Sequence, residues 1–144
     1  MHFVTGGAYN GKTKWVKNFY GLTEDHCWKS AYDQTKIPLN VSRFYGDVVV
    51  LEGVEQWLKG LTVESGLEEC RAIWQSLLGI WRTWESERHE RTVVIIGTDI
   101  TKGIVPMEKE DRDWRDLTGW AYQDLAAVAD RVDVIWYGLN QQLK

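Results

Sequence analysis

The segment Gly6-Gly7-Ala8-Tyr9-Asn10-Gly11-Lys12-Thr13 follows directly on a short apolar run, Phe3-Val4-Thr5. It satisfies the phosphate-loop pattern G-x-x-x-x-G-K-[ST], whose chemistry requires a strand before it and a helix after it. A chain that opens this way must build the rest of its fold around a sheet. Glycines let the backbone approach an anion with no Cβ in the way. Successive amides then converge on a phosphate, and the positive end of the following helix adds to the field. Lys12 is a mobile charge able to reach β- and γ-phosphates, and Thr13 offers a hydroxyl to Mg²⁺. The plain alternative is a glycine-rich turn with a lysine at a helix start.

The 144 residues carry a net charge of −4 and a pI near 5.4. That length fits one domain, residues 1–144, burying about two thirds of its unfolded surface. No dense Lys/Arg cluster tracks a nucleic-acid backbone, so nucleic acid is not an expected partner. Cys27 and Cys70 lie far apart without zinc-ligand spacing, which fits a reducing cytosol better than a disulfide scaffold. No leader pattern is visible, and no apolar run approaches the ~20 residues of a membrane span, so a cytoplasmic protein is expected. His2, His26 and His89 form no pattern; His26, beside Cys27, reads as a surface histidine. Nine tryptophans mostly occupy helix-periodic positions and are assigned to the core and a subunit interface.

Along the chain, residues 2–5 read as a buried strand and 12–20 as a helix ending near Gly21. Cys27 to Tyr32 reads as extended, followed by a polar connection containing Pro38. Asp47-Val48-Val49-Val50-Leu51-Glu52-Gly53 is a strand covered on both faces, with a short helix through Trp57 behind it. The longest helix is expected over Glu64–His89, where Leu67, Cys70, Trp74, Leu77, Trp81 and Trp84 recur at steps of three and four, with Ile73 and Ile80 widening the stripe. The charged stretch Glu85–Arg91 reads as its solvated end. Thr92–Gly97 is another buried strand, Asp111–Asp130 a helix and Asp133–Tyr137 a last strand, with the tail adding an edge strand. Apolar strands alternating with helices predict a three-layer α/β fold with a mostly parallel sheet.

Ligands of open parallel sheets bind beyond the carboxyl ends of the strands. The phosphate loop, Glu52 and Asp99 all fall there. A carboxylate ending an apolar strand beside a phosphate loop suits a contact to Mg²⁺. Glu52 is assigned to magnesium together with Thr13, and Asp99 to positioning or deprotonating an acceptor hydroxyl. For each acid the plain alternative is a helix cap or turn residue.

The C-terminal half adds Gly103-Ile104-Val105-Pro106, then Arg112, Trp114-Arg115-Asp116, Gly119, Gln123, Leu125-Ala126, Ala129-Asp130 and Val132. With Thr5-Gly6-Gly7-Ala8, Gly11-Lys12-Thr13 and Leu51-Glu52, this set resembles the adenosylcobinamide kinase/adenosylcobinamide-phosphate guanylyltransferase family of cobalamin biosynthesis, in a shortened form. The resemblance implies a RecA-like P-loop sheet, commonly assembled as a trimer. It also implies phosphorylation of the adenosylcobinamide aminopropanol hydroxyl by ATP or GTP, then GMP transfer through a guanylylated histidine. In this chain the corresponding stretch, Asp33 to Asp47, is short and holds no histidine; Thr98-Asp99 replaces the family's Asn-Glu, and Tyr122 replaces an asparagine. The expectation is therefore an enzyme that retains triphosphate binding and phosphate transfer, with nucleotide bound by Gly6 to Thr13 and Glu52, and Lys12 neutralising developing charge. A catalytically reduced P-loop regulatory module is the alternative.

Overall fold

In the computed structural model, which describes residues 1–23 and 27–144, the chain forms one six-stranded sheet. Its elements run β1 (His2–Gly6), α1 (Lys12–Tyr20), β2 (Trp28–Ser30), a 3-10 turn (Ala31–Asp33), β3 (Val48–Glu52), α2 (Val54–Glu64), α3 (Leu67–Ser86), β4 (Thr92–Thr98), α4 (Lys109–Val128), β5 (Arg131–Trp136) and β6 (Leu139–Gln142). The spatial order is β2-β3-β4-β1-β5-β6, parallel except for the final β5–β6 hairpin. Inserting β4 between the phosphate-loop strand and the acid-bearing β3 gives the RecA-like arrangement. It aligns Gly6 with Thr98 and Glu52 with Ile96, so the ends of three strands share one rim.

Both faces of the central strands are covered because their side chains alternate between two cores. Val49, Leu51, Val93 and Ile95 point into the larger core against α2, α3 and α4, whereas Val50, Val94 and Ile96 meet Val4, Val16 and Ile135 beneath α1. Burying each such side chain contributes roughly 1.5–3 kcal/mol, which is why these runs carry no polar residue. Helix α1 is capped by Gly11 and Gly21, both in the left-handed region, and the Gly21 amide bonds back to Asn18.

The long helical stretch departs from expectation at both ends. Glu64 belongs to α2, a break at Ser65-Gly66 intervenes, and α3 then spans only 20 residues, the same length as α4. Gly66 and Ser65 interrupt because both sit in extended backbone, so the apolar period does not carry across them. On α3 the stripe Cys70-Trp74-Leu77-Trp81-Trp84 is buried as anticipated, but Leu78 is buried where Ile80 was assigned, and Ile80 is exposed. Glu85 is not simply solvated: it accepts the Val93 amide at 3.0 Å and pairs with the Met1 ammonium at 2.7 Å. The last main helix begins at Lys109, two positions before the expected start, and β5 begins at Arg131.

Four tryptophans, Trp57, Trp74, Trp81 and Trp84, are in the core, while Trp120 and Trp136 are partly exposed. Two of the buried indoles bind the connection after β2: Trp57 donates to the Thr35 carbonyl at 2.7 Å and Trp81 to that of Pro38 at 2.9 Å. No helix among the described residues is long and apolar enough to cross a membrane.

Candidate active site at the carboxyl rim of the sheet

The loop is shaped at three points. Gly6 takes φ 144° and lies so close to the Ile135 carbonyl that any Cβ would collide with it. Gly11 (φ 87°) caps α1 and abuts Gly138 in the β5–β6 turn. Between them, Asn10 is clasped by that same turn: its carbonyl accepts the Gly138 amide at 2.8 Å and its side chain accepts the Tyr137 amide at 3.2 Å. Tyr9 stands fully exposed at the apex with a positive φ of 58°.

Behind the loop, the leading amides of α1 have no partner within the helix, which makes that end a natural anion receptor. Lys12 is buried, and its ammonium donates to the Gly7 carbonyl at 2.7 Å. Burial lowers its pKa against the opposing charges of Glu55 and Glu52. Thr13 donates its hydroxyl to Glu52 Oε1. The other oxygen of Glu52 accepts the Trp28 indole N–H at 2.8 Å, so a residue on the neighbouring strand fixes the carboxylate's orientation.

A cleft of about 680 Å³ opens here, lined by Ala8, Lys12, Thr13, Glu52, Glu55 and Thr98 among others. That is within the range of small-ligand sites, roughly 300–1,000 Å³. Thus the fold gathers the loop, Thr13 and Glu52 into one place. Asp99 sits at the rim, its amide donating to the Gly6 carbonyl at 3.0 Å, and its carboxylate is engaged by the residues that follow it. It accepts from the Thr101 amide at 2.9 Å and hydroxyl at 2.7 Å, with Lys102 at 3.5 Å. Burial would raise the Asp99 pKa, yet these bonds and the lysine charge hold it below the usual carboxylate value. His26 lies outside the described residues.

Two participants have no sequence signature. Glu55, in the first turn of α2, is only 1 % exposed although it lines the cleft. It accepts from the Tyr32 hydroxyl and from the Thr98 amide, the latter at 3.0 Å. Trp28 is the other. Tyr122, at the position that departs from the resembled pattern, donates to the Thr98 carbonyl at 2.8 Å and packs edge-on against Phe3. Gly97 makes room for it, since a Cβ there would meet the Tyr122 hydroxyl.

Residues 24–143, most of the chain, match the family of cobinamide kinase / cobinamide phosphate guanyltransferase. The chain belongs to that family. Membership in the cobinamide kinase / cobinamide phosphate guanyltransferase family makes it an enzyme of the transferase class, with cobinamide and nucleotide chemistry in cobalamin biosynthesis. The match starts beyond Thr13 and does not include the segment from Gly6 to Thr13. No curated protein matches the chain.

Magnesium is tested by the donor set. A hydroxyl and a carboxylate oxygen are hard ligands of the kind that cation takes, and it commonly completes its shell with waters and substrate phosphates. Among the described residues no group of three or more His, Cys, Asp or Glu gathers around one point. Thr13 and Glu52 fit it.

Proposed function

We propose that this family member is a nucleoside-triphosphate-dependent kinase that transfers the terminal phosphate of ATP or GTP to the aminopropanol hydroxyl of adenosylcobinamide. The observation that carries the proposal is the direct bond from Thr13 to Glu52 beside Lys12. It unites, in one cleft, a phosphate-cradling loop, a mobile cation and a hard-oxygen pair.

In this scheme the amides from Gly7 to Thr13 hold the phosphates, and Lys12 exchanges its bond to Gly7 for the β/γ-oxygens. Thr13 and Glu52 hold Mg²⁺, which when bound offsets charge on the phosphate oxygens. Trp28 keeps Glu52 aligned. Phosphoryl transfer needs chiefly such alignment and charge neutralisation. The proposal is confined to the kinase step, because no histidine lies between Asp33 and Asp47 to carry a nucleotidyl group. Following the family resemblance, the enzyme is homo-oligomeric, as a trimer, and cytoplasmic.

The test is phosphate transfer from ATP and from GTP to adenosylcobinamide by the intact protein, with Lys12→Ala alongside. Transfer that collapses in the variant is expected. Tight Mg-nucleotide binding without any transfer would instead favour a regulatory module.

A further inference from the structure

Glu55 is a buried acid lining the cleft, and the scheme above gives it no task. Its surroundings are specific. Gly53 turns the chain at φ 76° between Glu52 and α2, and the Tyr32 ring lies against its Cα so closely that a Cβ would sit 2.9 Å from the ring. That packing holds a half-exposed phenol with its hydroxyl on Glu55 and 3.4 Å from the Thr98 hydroxyl. Glu52 and Glu55 therefore leave one turn with separate partners: Thr13 for the first, Tyr32 for the second. Asp99, the other acid at this rim, is occupied by Thr101 and Lys102.

We propose that Tyr32 and Glu55 form a proton relay for the acceptor hydroxyl. The inference rests on the kinase proposal. As the acceptor oxygen bonds to the γ-phosphorus and the bridging P–O bond to the β-phosphate breaks, the acceptor proton passes to Tyr32 Oη. The Tyr32 proton moves to Glu55 Oε1, and the nucleoside diphosphate leaves with the bond's electron pair. After product release Glu55 returns its proton through Tyr32 to solvent. Burial and the Glu55 bond raise the Tyr32 pKa, so the phenol stays protonated and hands on a proton rather than acting as a phenolate. Glu55 lines the same cleft as Lys12 and Thr13, which sets it beside the loop that would hold the phosphates.

The experiment compares wild type, Tyr32→Phe, Glu55→Gln and the double variant in phosphate transfer to adenosylcobinamide. Mg-nucleotide affinity is measured by calorimetry in parallel. A general base contributes about 10²–10⁴-fold, so each single variant should lose roughly a hundredfold in kcat. Mg-nucleotide Kd should be little changed, and the double variant should be no worse than either single one. The kcat of wild type should fall at acid pH, and that limb should vanish in Tyr32→Phe, a change that a merely structural tyrosine would not produce. Should Glu55→Gln fail to fold, Tyr32→Phe, which keeps the ring on Gly53, decides alone. An active wild type with both singles within twofold of it overturns the relay and leaves the kinase proposal standing. A loss seen only in nucleotide Kd overturns the relay as well. A wild type that binds nucleotide but transfers nothing removes the kinase proposal and the relay together.

Discussion

Thr13 and Glu52, 39 positions apart in sequence, meet through a hydrogen bond from hydroxyl to carboxylate at the carboxyl rim of the sheet. Parallel pairing brings them there: β4 lies between β3, which ends at Glu52, and β1, which leads into the loop before Thr13, and the register places Gly6 opposite Thr98 and Glu52 opposite Ile96. If the two share one cation, their effects on nucleotide affinity are coupled. Thr13→Ala and Glu52→Gln should each weaken Mg-nucleotide binding. Residues in one network show interaction energies of about 0.5–3 kcal/mol, so the double variant should fall well short of the sum. Additive losses in calorimetry would separate the two residues.

Trp28 acts on the same carboxylate from the edge of the sheet. Trp28→Phe keeps an aromatic ring but deletes the N–H bonded to Glu52. A hydrogen bond to a charged group contributes about 1.5–3 kcal/mol, although part of this is recovered by water at a half-buried site. Mg-nucleotide affinity should fall by roughly tenfold, in line with the lower bound of that range. An unchanged Kd would reduce Trp28 to packing.

Gly6→Ala tests the loop's backbone. The substitution forces a side chain into a positive φ and onto the Ile135 carbonyl. Strained backbone of that kind costs about 1–3 kcal/mol, and the steric contact adds to it. Thermal unfolding should shift down by roughly 5 °C or more, with nucleotide binding lost even below the new midpoint.

At the opposite end of the sheet, buried His2 and Asp133 share a 2.8 Å bond, and Tyr20 contacts the other His2 nitrogen at 2.7 Å. Burial lowers the His2 pKa from its ordinary 6.5, outweighing the bond to Asp133. The folded state therefore binds fewer protons than the unfolded one just below that value. Stability is fully present above pH 6.5 and declines as pH falls through the window beneath it. Asp133, which burial alone would raise, is held below 3.8 by bonds from Arg131, Asn140 and His2, and adds a further loss at still lower pH. Urea midpoints at pH 7.5 and 5.5 should differ in wild type, and His2→Gln should narrow the gap. An identical gap would absolve the histidine.

A trimer should be visible by light scattering. Tyr9, Ile104, Val105, Met107 and Tyr137 are all strongly exposed on loops near the carboxyl rim, and Lys102 reaches over the Trp136 ring to join two of those loops. Replacing Ile104 and Met107 by serine should shift the mass towards the monomer. A wild-type monomer would end the trimer proposal.

Much of this architecture was readable because the central strands are apolar on both faces and the helix ends carry glycines. Val48–Leu51 and Val93–Ile96 admit few alternatives to buried strands. That Gly6 to Thr13 and Glu52 lie together was readable for the same reason, since both hang on strand ends at one rim. Residues defined by long-range partners were not. Glu55 looks like any acid in a first helical turn until Tyr32, Thr98 and the Trp114 indole, which donates to its carbonyl at 2.7 Å, close around it. Periodicity also ran straight across Ser65-Gly66 and preferred Ile80 to Leu78, because a stripe drawn at alternating threes and fours does not reveal which flank the neighbouring helix covers.

The clasp on Asn10 by the turn at Tyr137-Gly138 spans 127 positions of sequence. During synthesis the Asn10 loop would stay unbraced until the Tyr137-Gly138 turn had also been made. Only when that hairpin docks would the loop gain these two bonds, so a nucleotide held by the loop would slow the hairpin's undocking.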